Sequence, residues 1–161
     1  WRFIRSDVEE WIRSQASNQR RRILVGEDEP EFLRILVHLV RKLGHEAVTA
    51  ENGVKAVEAL REEGEFDLVI LDLLLPLVDG PGVMEWMSKK GLDIDVLIIT
   101  AHADSDLMSQ AMKYRHVRVL RKPVAPDLIQ KAIRTCLEGV EVKVDLADLD
   151  SHLQEQRRGG P

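Results

Sequence analysis

The stretch Leu68-Val69-Ile70-Leu71-Asp72-Leu73-Leu74-Leu75-Pro76 decides how the chain is read. Its first four residues are apolar without interruption, the pattern of a strand buried on both faces. Asp72 ends that run. A carboxylate there stands at the carboxyl end of a central strand, where open α/β sheets place their ligands. Pro76 stops further ladder pairing, and Asp79-Gly80 marks a turn. Taken alone, Asp72 also reads as a cap on the loop that follows it. The rest of the chain has to decide between these readings.

On both sides of this strand a regular alternation runs. Upstream, Ile23-Leu24-Val25 is a short buried strand that leads into Gly26-Glu27-Asp28-Glu29-Pro30. Leu33, Leu36, Val37, Val40 and Leu43 then form one stripe of a helix. Gly44 is placed to end it in a left-handed cap. Ala47 to Ala50 is a weak second strand. Asn52-Gly53 turns the chain into a helix carrying Val54, Val57 and Leu60, which stops near Gly64. Downstream, a helix around Val83 to Met87 follows the turn, and Val96 to Thr100 is a fourth strand. Asp106 to Tyr114 is helical, Val117 to Leu120 is a fifth strand, and Lys122-Pro123 follows it. Asp127 to Leu137 is the last strong helix. Five strands alternating with helices specify an α/β fold, a doubly wound parallel sheet with helices on both faces.

Composition narrows the class. With 161 residues there is room for one full domain and a small appendage, and a hydrophobic fraction of 44% is enough for a packed core. The formal net charge of −5 means that the surface as a whole is no nucleic-acid footprint. The single cysteine, Cys136, excludes an internal disulfide and suits a reducing compartment, hence the cytoplasm. No apolar run approaches the ~20 residues of a membrane helix. The chain begins on Trp1, which reads as part of a longer protein.

Four polar features sit at the carboxyl ends of four expected strands: Glu27 and Asp28, Asp72, Thr100, and Lys122. In a doubly wound sheet these ends converge on one edge. Carboxylates brought within ~4–6 Å repel strongly, and a divalent cation makes such a cluster tolerable. Oxygen ligands without His or Cys favour a hard ion, so Mg²⁺ is the candidate cofactor. A lysine and a hydroxyl opposite the carboxylates can cradle a phosphoryl group, and an aspartate can itself be the nucleophile. The chemistry reads as Mg²⁺-assisted phosphoryl transfer onto Asp72.

Ile23–Pro30, Asp67–Gly80, Val96–Ala101 and Val119–Pro123 together resemble the receiver domain of two-component response regulators. The resemblance spans roughly Arg22 to Glu138 and implies a flavodoxin-like fold with strand order 2-1-3-4-5. It also implies roles. Asp72 matches the phosphoacceptor, and Asp28 matches the direct Mg²⁺ ligand, with Glu27 helping through water. The backbone carbonyl of Leu74 completes the protein ligands. Thr100 matches the switch hydroxyl and Lys122 the lysine that pairs with the phosphoryl group. Lys122-Pro123 matches a peptide bond that is cis in the family. The implied partner is a sensor histidine kinase or phosphotransfer protein. The module itself accepts and loses its own phosphoryl group and is not a turnover enzyme. A metal-dependent aspartyl-phosphate phosphatase is the enzyme-class rival, but its second acid would fall at Leu74.

The chain also departs from the family pattern. Gly26 stands where a branched apolar residue is usual. Val119 stands where Tyr or Phe is usual, which bears on the conformational switch and leaves open a degenerate receiver that only dimerises. Leu74 lies where its bulk should slow hydrolysis of the phosphoryl group.

The ends read separately. Trp1 to Ile12 is similar to the tail of excisionase-type, MerR-like helix-turn-helix domains, with a capping box at Ser6 and Glu9 and a helix over Asp7 to Ala16. The alternative is a generic amphipathic helix. The groove-entering helix would lie upstream, so DNA would be reached only through a domain mostly missing from this chain. Ser14 to Arg22, with three arginines, reads as a solvated linker, a DNA-facing patch being the other reading. The expected organisation is a helical fragment and linker over 1–19, a receiver domain over 20–139, and an extension over 140–161 whose end is disordered. Val140, Val142 and Val144 suggest a short edge strand, and Leu146, Leu149 and Leu153 a small helix. Packing of this extension on the domain or on a second chain, as a homodimer, stays open.

Overall fold

The computed structural model describes residues 7–12, 14 and 19–138. The chain divides into two units, Arg20–Gly139 and, separately, Trp1–Gln19 with Val140–Pro161. Of the second unit, residues 7–12 and 14 are helical, and Ser14 Oγ donates to the carbonyl of Trp11 at 2.7 Å. The strand and helix expected after Gly139, and the first six of the twelve residues that resemble a helix-turn-helix tail, lie outside the described residues.

Arg20–Gly139 is an alternation of strands and helices. The strands are β1 (Arg22–Gly26), β2 (Glu46–Ala50), β3 (Leu68–Leu71), β4 (Asp95–Thr100) and β5 (Val117–Arg121). The helices are α1 (Pro30–Lys42), α2 (Gly53–Glu62), α3 (Gly80–Lys89), α4 (Asp106–Ala111) and α5 (Pro126–Glu138). All four strand pairings are parallel, and the order is β2-β1-β3-β4-β5, the order the receiver resemblance implies.

The strands explain themselves by alternation. Ile23, Val25, Leu68, Ile70, Leu97 and Ile99 face one side of the sheet, with Leu36, Leu39 and Val40 of α1 and Ile129, Ile133 and Cys136 of α5. Leu24, Val69, Leu71, Val96 and Ile98 face the other, with Ala56 and Leu60 of α2 and Val83, Met84 and Met87 of α3. A strand covered on both faces has no solvent side, which is why the apolar runs are continuous. Burial of Cys136 pushes its thiol up to about 11.

Local signals set the ends of the helices. Pro30 occupies the first turn of α1, where its missing N–H costs nothing. Gly44 follows that helix at φ +86°, a left-handed cap that the missing Cβ permits. The Asn52 side chain accepts from Lys55 N at 2.8 Å, and Asp79 Oδ1 from Gly82 N at 2.8 Å, so both turns are side-chain caps.

Two expectations need correction. Helix α4 ends at Ala111 and not at Tyr114. Lys113 and Tyr114 donate to carbonyls three residues back, a tightening turn, and the Tyr114 hydroxyl is fixed on Leu92 O at 2.8 Å. The linker over Ser14 to Arg22 ends earlier than its charge suggests. Arg22 opens β1, and Arg21 is buried with Nη1 3.5 Å from Asp67 Oδ1. Gly26 is also accounted for: a Cβ there would stand 2.6 Å from Cδ2 of Leu71 and 3.4 Å from Cδ1 of Leu75. Two leucines fill the space a branched residue would take.

Candidate functional site

The sheet brings its carboxyl ends together by register. Gly26 pairs with Leu71, and the Asp72 amide donates to the Gly26 carbonyl at 3.0 Å. Glu27 N donates to Ala50 O at 3.0 Å, and Lys122 N to Thr100 O at 2.9 Å. Glu27, Asp72, Thr100 and Lys122 therefore leave a backbone already tied to a neighbouring strand.

Oxygens of Glu27, Asp28 and Asp72 lie within 4.8 Å of one another. Glu27 and Asp72 are buried and Asp28 is exposed. Into this group comes one cation. Lys122 Nζ donates to Glu27 Oε2 at 2.8 Å and to Asp72 Oδ2 at 2.9 Å. The other oxygens are used as well: Glu27 Oε1 accepts from Glu29 N at 3.0 Å, and Asp72 Oδ1 from Leu74 N at 3.2 Å. Lys122 precedes Pro123 across a cis peptide bond.

Burial raises the Glu27 carboxyl above its ordinary range, against the bond from Lys122 that pulls the other way. Burial also works against charge on Lys122, but its bonds to Glu27 and Asp72 outweigh that and hold the ammonium above its ordinary value. Three carboxylates facing one ammonium leave an excess of negative charge. All donors are oxygens, the set that a hard divalent cation prefers. The residues fit Mg²⁺.

Thr100 ends β4, fully buried, and its Oγ1 accepts from His102 N at 3.1 Å. Leu74 is exposed beside Asp72, and Val119 is exposed on β5. The loop that carries Asp72 is pinned from below by small residues. A Cβ on Gly53 would stand 1.8 Å from the Val78 carbonyl oxygen, and one on Gly80 2.6 Å from the Asp72 carbonyl oxygen. One side chain at the site went unread in the sequence. The Phe32 ring of α1 has its centroid 4.4 Å from Lys122 Nζ. Its only sequence signal is an aromatic in the first turn of the helix that follows Glu27-Asp28.

The response regulator receiver domain family matches residues 23–134, most of the chain. The chain belongs to the response regulator receiver family. Receiver domains are signalling modules and not turnover enzymes on external substrates. Over 143 residues this receiver is 32% identical to the alginate biosynthesis transcriptional regulatory protein AlgB of Pseudomonas aeruginosa, covering 89% of this chain and 32% of that protein. It is 33% identical to the transcriptional regulatory protein ZraR of Klebsiella oxytoca over 115 residues, 71% of this chain and 26% of ZraR. The chain spans half or less of the length of the curated relatives it matches. Among solved structures it is similar to the response regulator TrrA of Thermotoga maritima in complex with Mg²⁺-BeF. The TM-score is 0.64 and the identity 28%, over 72% of this chain and 98% of TrrA. Among the described residues no helix is long and apolar enough to cross a membrane.

Proposed function

We propose that this receiver is a phosphorylation switch whose acceptor is Asp72. The donor is a sensor histidine kinase, a phosphotransfer protein or a small acyl phosphate. The observation that carries the reading is the convergence of Glu27, Asp28 and Asp72 on one edge, with Lys122 bonded to two of them. The similarity to TrrA, solved with Mg²⁺ and BeF, supports a hard cation at these carboxylates.

In the transfer an Asp72 carboxylate oxygen forms a bond to phosphorus as the bond from phosphorus to the donor breaks. The electron pair leaves with the donor's imidazole nitrogen or carboxylate oxygen, and an acyl phosphate remains. Glu27, Asp28, Asp72 and the Leu74 carbonyl would hold Mg²⁺. When bound, the ion neutralises charge on the phosphoryl oxygens. Lys122 moves its donated bond from Asp72 to a phosphoryl oxygen, and the Thr100 hydroxyl donates to another. The acyl phosphate carries about −2 where the carboxylate carried −1, so roughly one unit of negative charge is added. That charge biases a two-state equilibrium of α4, β5 and α5, which controls an attached output.

The output is transcription through DNA binding, by a domain mostly outside this chain. The relatives named as transcriptional regulators support it, as does the likeness of Trp1 to Ile12 to a helix-turn-helix tail. Homodimers in the cytoplasm are the working form. Val119 favours a second reading, a degenerate receiver that dimerises constitutively, because β5 has no ring to move when Thr100 moves.

Intact mass after incubation with acetyl phosphate and Mg²⁺, beside an Asp72→Asn control, separates the two. One phosphoryl group on the unaltered chain alone is the expected result. No adduct, together with no Mg²⁺ binding, leaves the constitutive module.

A further inference from the structure

The lysine at the site has a partner beyond the carboxylates. Lys122 Nζ lies 4.4 Å from the centroid of the Phe32 ring, besides its 2.8 Å bond to Glu27 and 2.9 Å bond to Asp72. A ring presents its negative face to a cation at this range, and the attraction grows where water is excluded. The Lys122 side chain is only 18% exposed. Phe32 packs on the core cluster that also takes Leu120 and Val124, the residues on either side of Arg121-Lys122-Pro123. The ring and the residues flanking Lys122 are held by the same packing. Without such a hold a lysine is a point charge on a flexible stem whose head seeks water.

We infer that Phe32 is a positioning residue for Lys122. Its ring keeps the ammonium between Glu27 and Asp72, so the positive charge is in place before a phosphoryl group arrives. The inference rests on the reading of Asp72 as phosphoacceptor and extends it to a residue with no polar atom. Charge fixed beforehand needs no reorganisation during transfer, which is where such groups contribute to rate. The ring that serves the site therefore comes from α1, while Val119 on β5 offers none.

The test replaces Phe32 by phenylalanines carrying one, two and three fluorines. These keep the shape and apolar surface and weaken the face of the ring step by step, so a purely packing role would leave both readouts unchanged. One readout is the order parameter of the Lys122 ε-carbon by NMR relaxation, without Mg²⁺ or donor. The other is the rate at which phosphoramidate phosphorylates the protein in Mg²⁺. The expected result is a graded loss of order and a graded slowing, to about five-fold for the trifluorinated ring. Phe32→Leu follows the same trend and Phe32→Tyr restores the rate. Equal order across the series overturns the inference, and so does loss of order with an unchanged rate. If the unmodified protein takes no phosphoryl group, the acceptor reading falls by itself, while graded loosening of Lys122 still supports the clamp.

Discussion

The two ends of the sheet both carry charge clusters, and they handle charge in opposite ways. At the amino end, Arg21 stands 3.5 Å from Asp67, and Arg22 stands 3.5 Å from Glu46 and 3.8 Å from Glu63. The carboxylates there are 30–50% exposed, so water screens what the arginines do not neutralise. At the carboxyl end, the Glu27 and Asp72 side chains are 2% and 9% exposed, and one lysine serves both. An excess that water cannot screen has to be met by something else. One end is a closed structural network and the other an open site, although both are built from the same residue types.

The comparison can be broken first through the backbone. Gly53→Ala puts a methyl group 1.8 Å from the Val78 carbonyl oxygen, and the backbone cannot yield as a side chain would. The expected loss is about 3 kcal/mol or more in urea unfolding, with amide shifts over the loop from Asp72 to Gly80. An unchanged midpoint would mean that the loop at the carboxyl end is loosely held.

Removing one carboxylate at each end sharpens the contrast. Asp67→Ala deprives buried Arg21 of its ion pair and leaves its guanidinium short of partners, since Nε and Nη2 already lack a hydrogen bond among the described residues. The expected loss is about 2 kcal/mol. Glu27→Gln goes the other way. Burial disfavours the charged carboxyl of Glu27 in the fold, so a neutral isostere should gain stability near pH 7 without Mg²⁺. Chemical denaturation of both variants reads the two signs, and a loss in both would erase the distinction drawn between the ends.

The smallest effect concerns His45 at the amino end. Its Nδ1 accepts from Arg21 N at 3.2 Å. Burial, then the charge on Arg21, hold its pKa below the ordinary 6.5. The unfolded chain therefore takes up the proton first as pH falls. The stabilisation is present above about pH 6.5 and is lost as pH falls through the lowered value. Urea midpoints of the unaltered chain should fall more steeply than those of His45→Gln between about pH 7 and pH 5. Parallel slopes would remove the histidine from the account.

How much of this was legible in the sequence follows from how local each feature is. Leu68 to Leu71 and Val96 to Thr100 are continuous apolar runs with a polar residue at one end. Strand, burial and the place of Asp72 and Thr100 could therefore be read together. Strand order came from family resemblance, since alternation alone leaves several topologies. Arg21 was hidden inside a basic run that looks like a linker, because its pairing with Asp67 spans distant parts of the chain. Phe32 was hidden for the same reason, as its contact with Lys122 joins the first helix to the loop after the last strand. Gly26 departs from the family pattern, and only the positions of Leu71 and Leu75 show what fills its place.

The most direct measurement maps amide shifts during a Mg²⁺ titration of the full chain. The account predicts saturable shifts centred on Glu27, Asp28, Asp72 and Leu74, lost in Asp28→Asn, with the rim of Asp67, Glu46 and Glu63 still. Shifts centred on that other rim, or none at all, would contradict it.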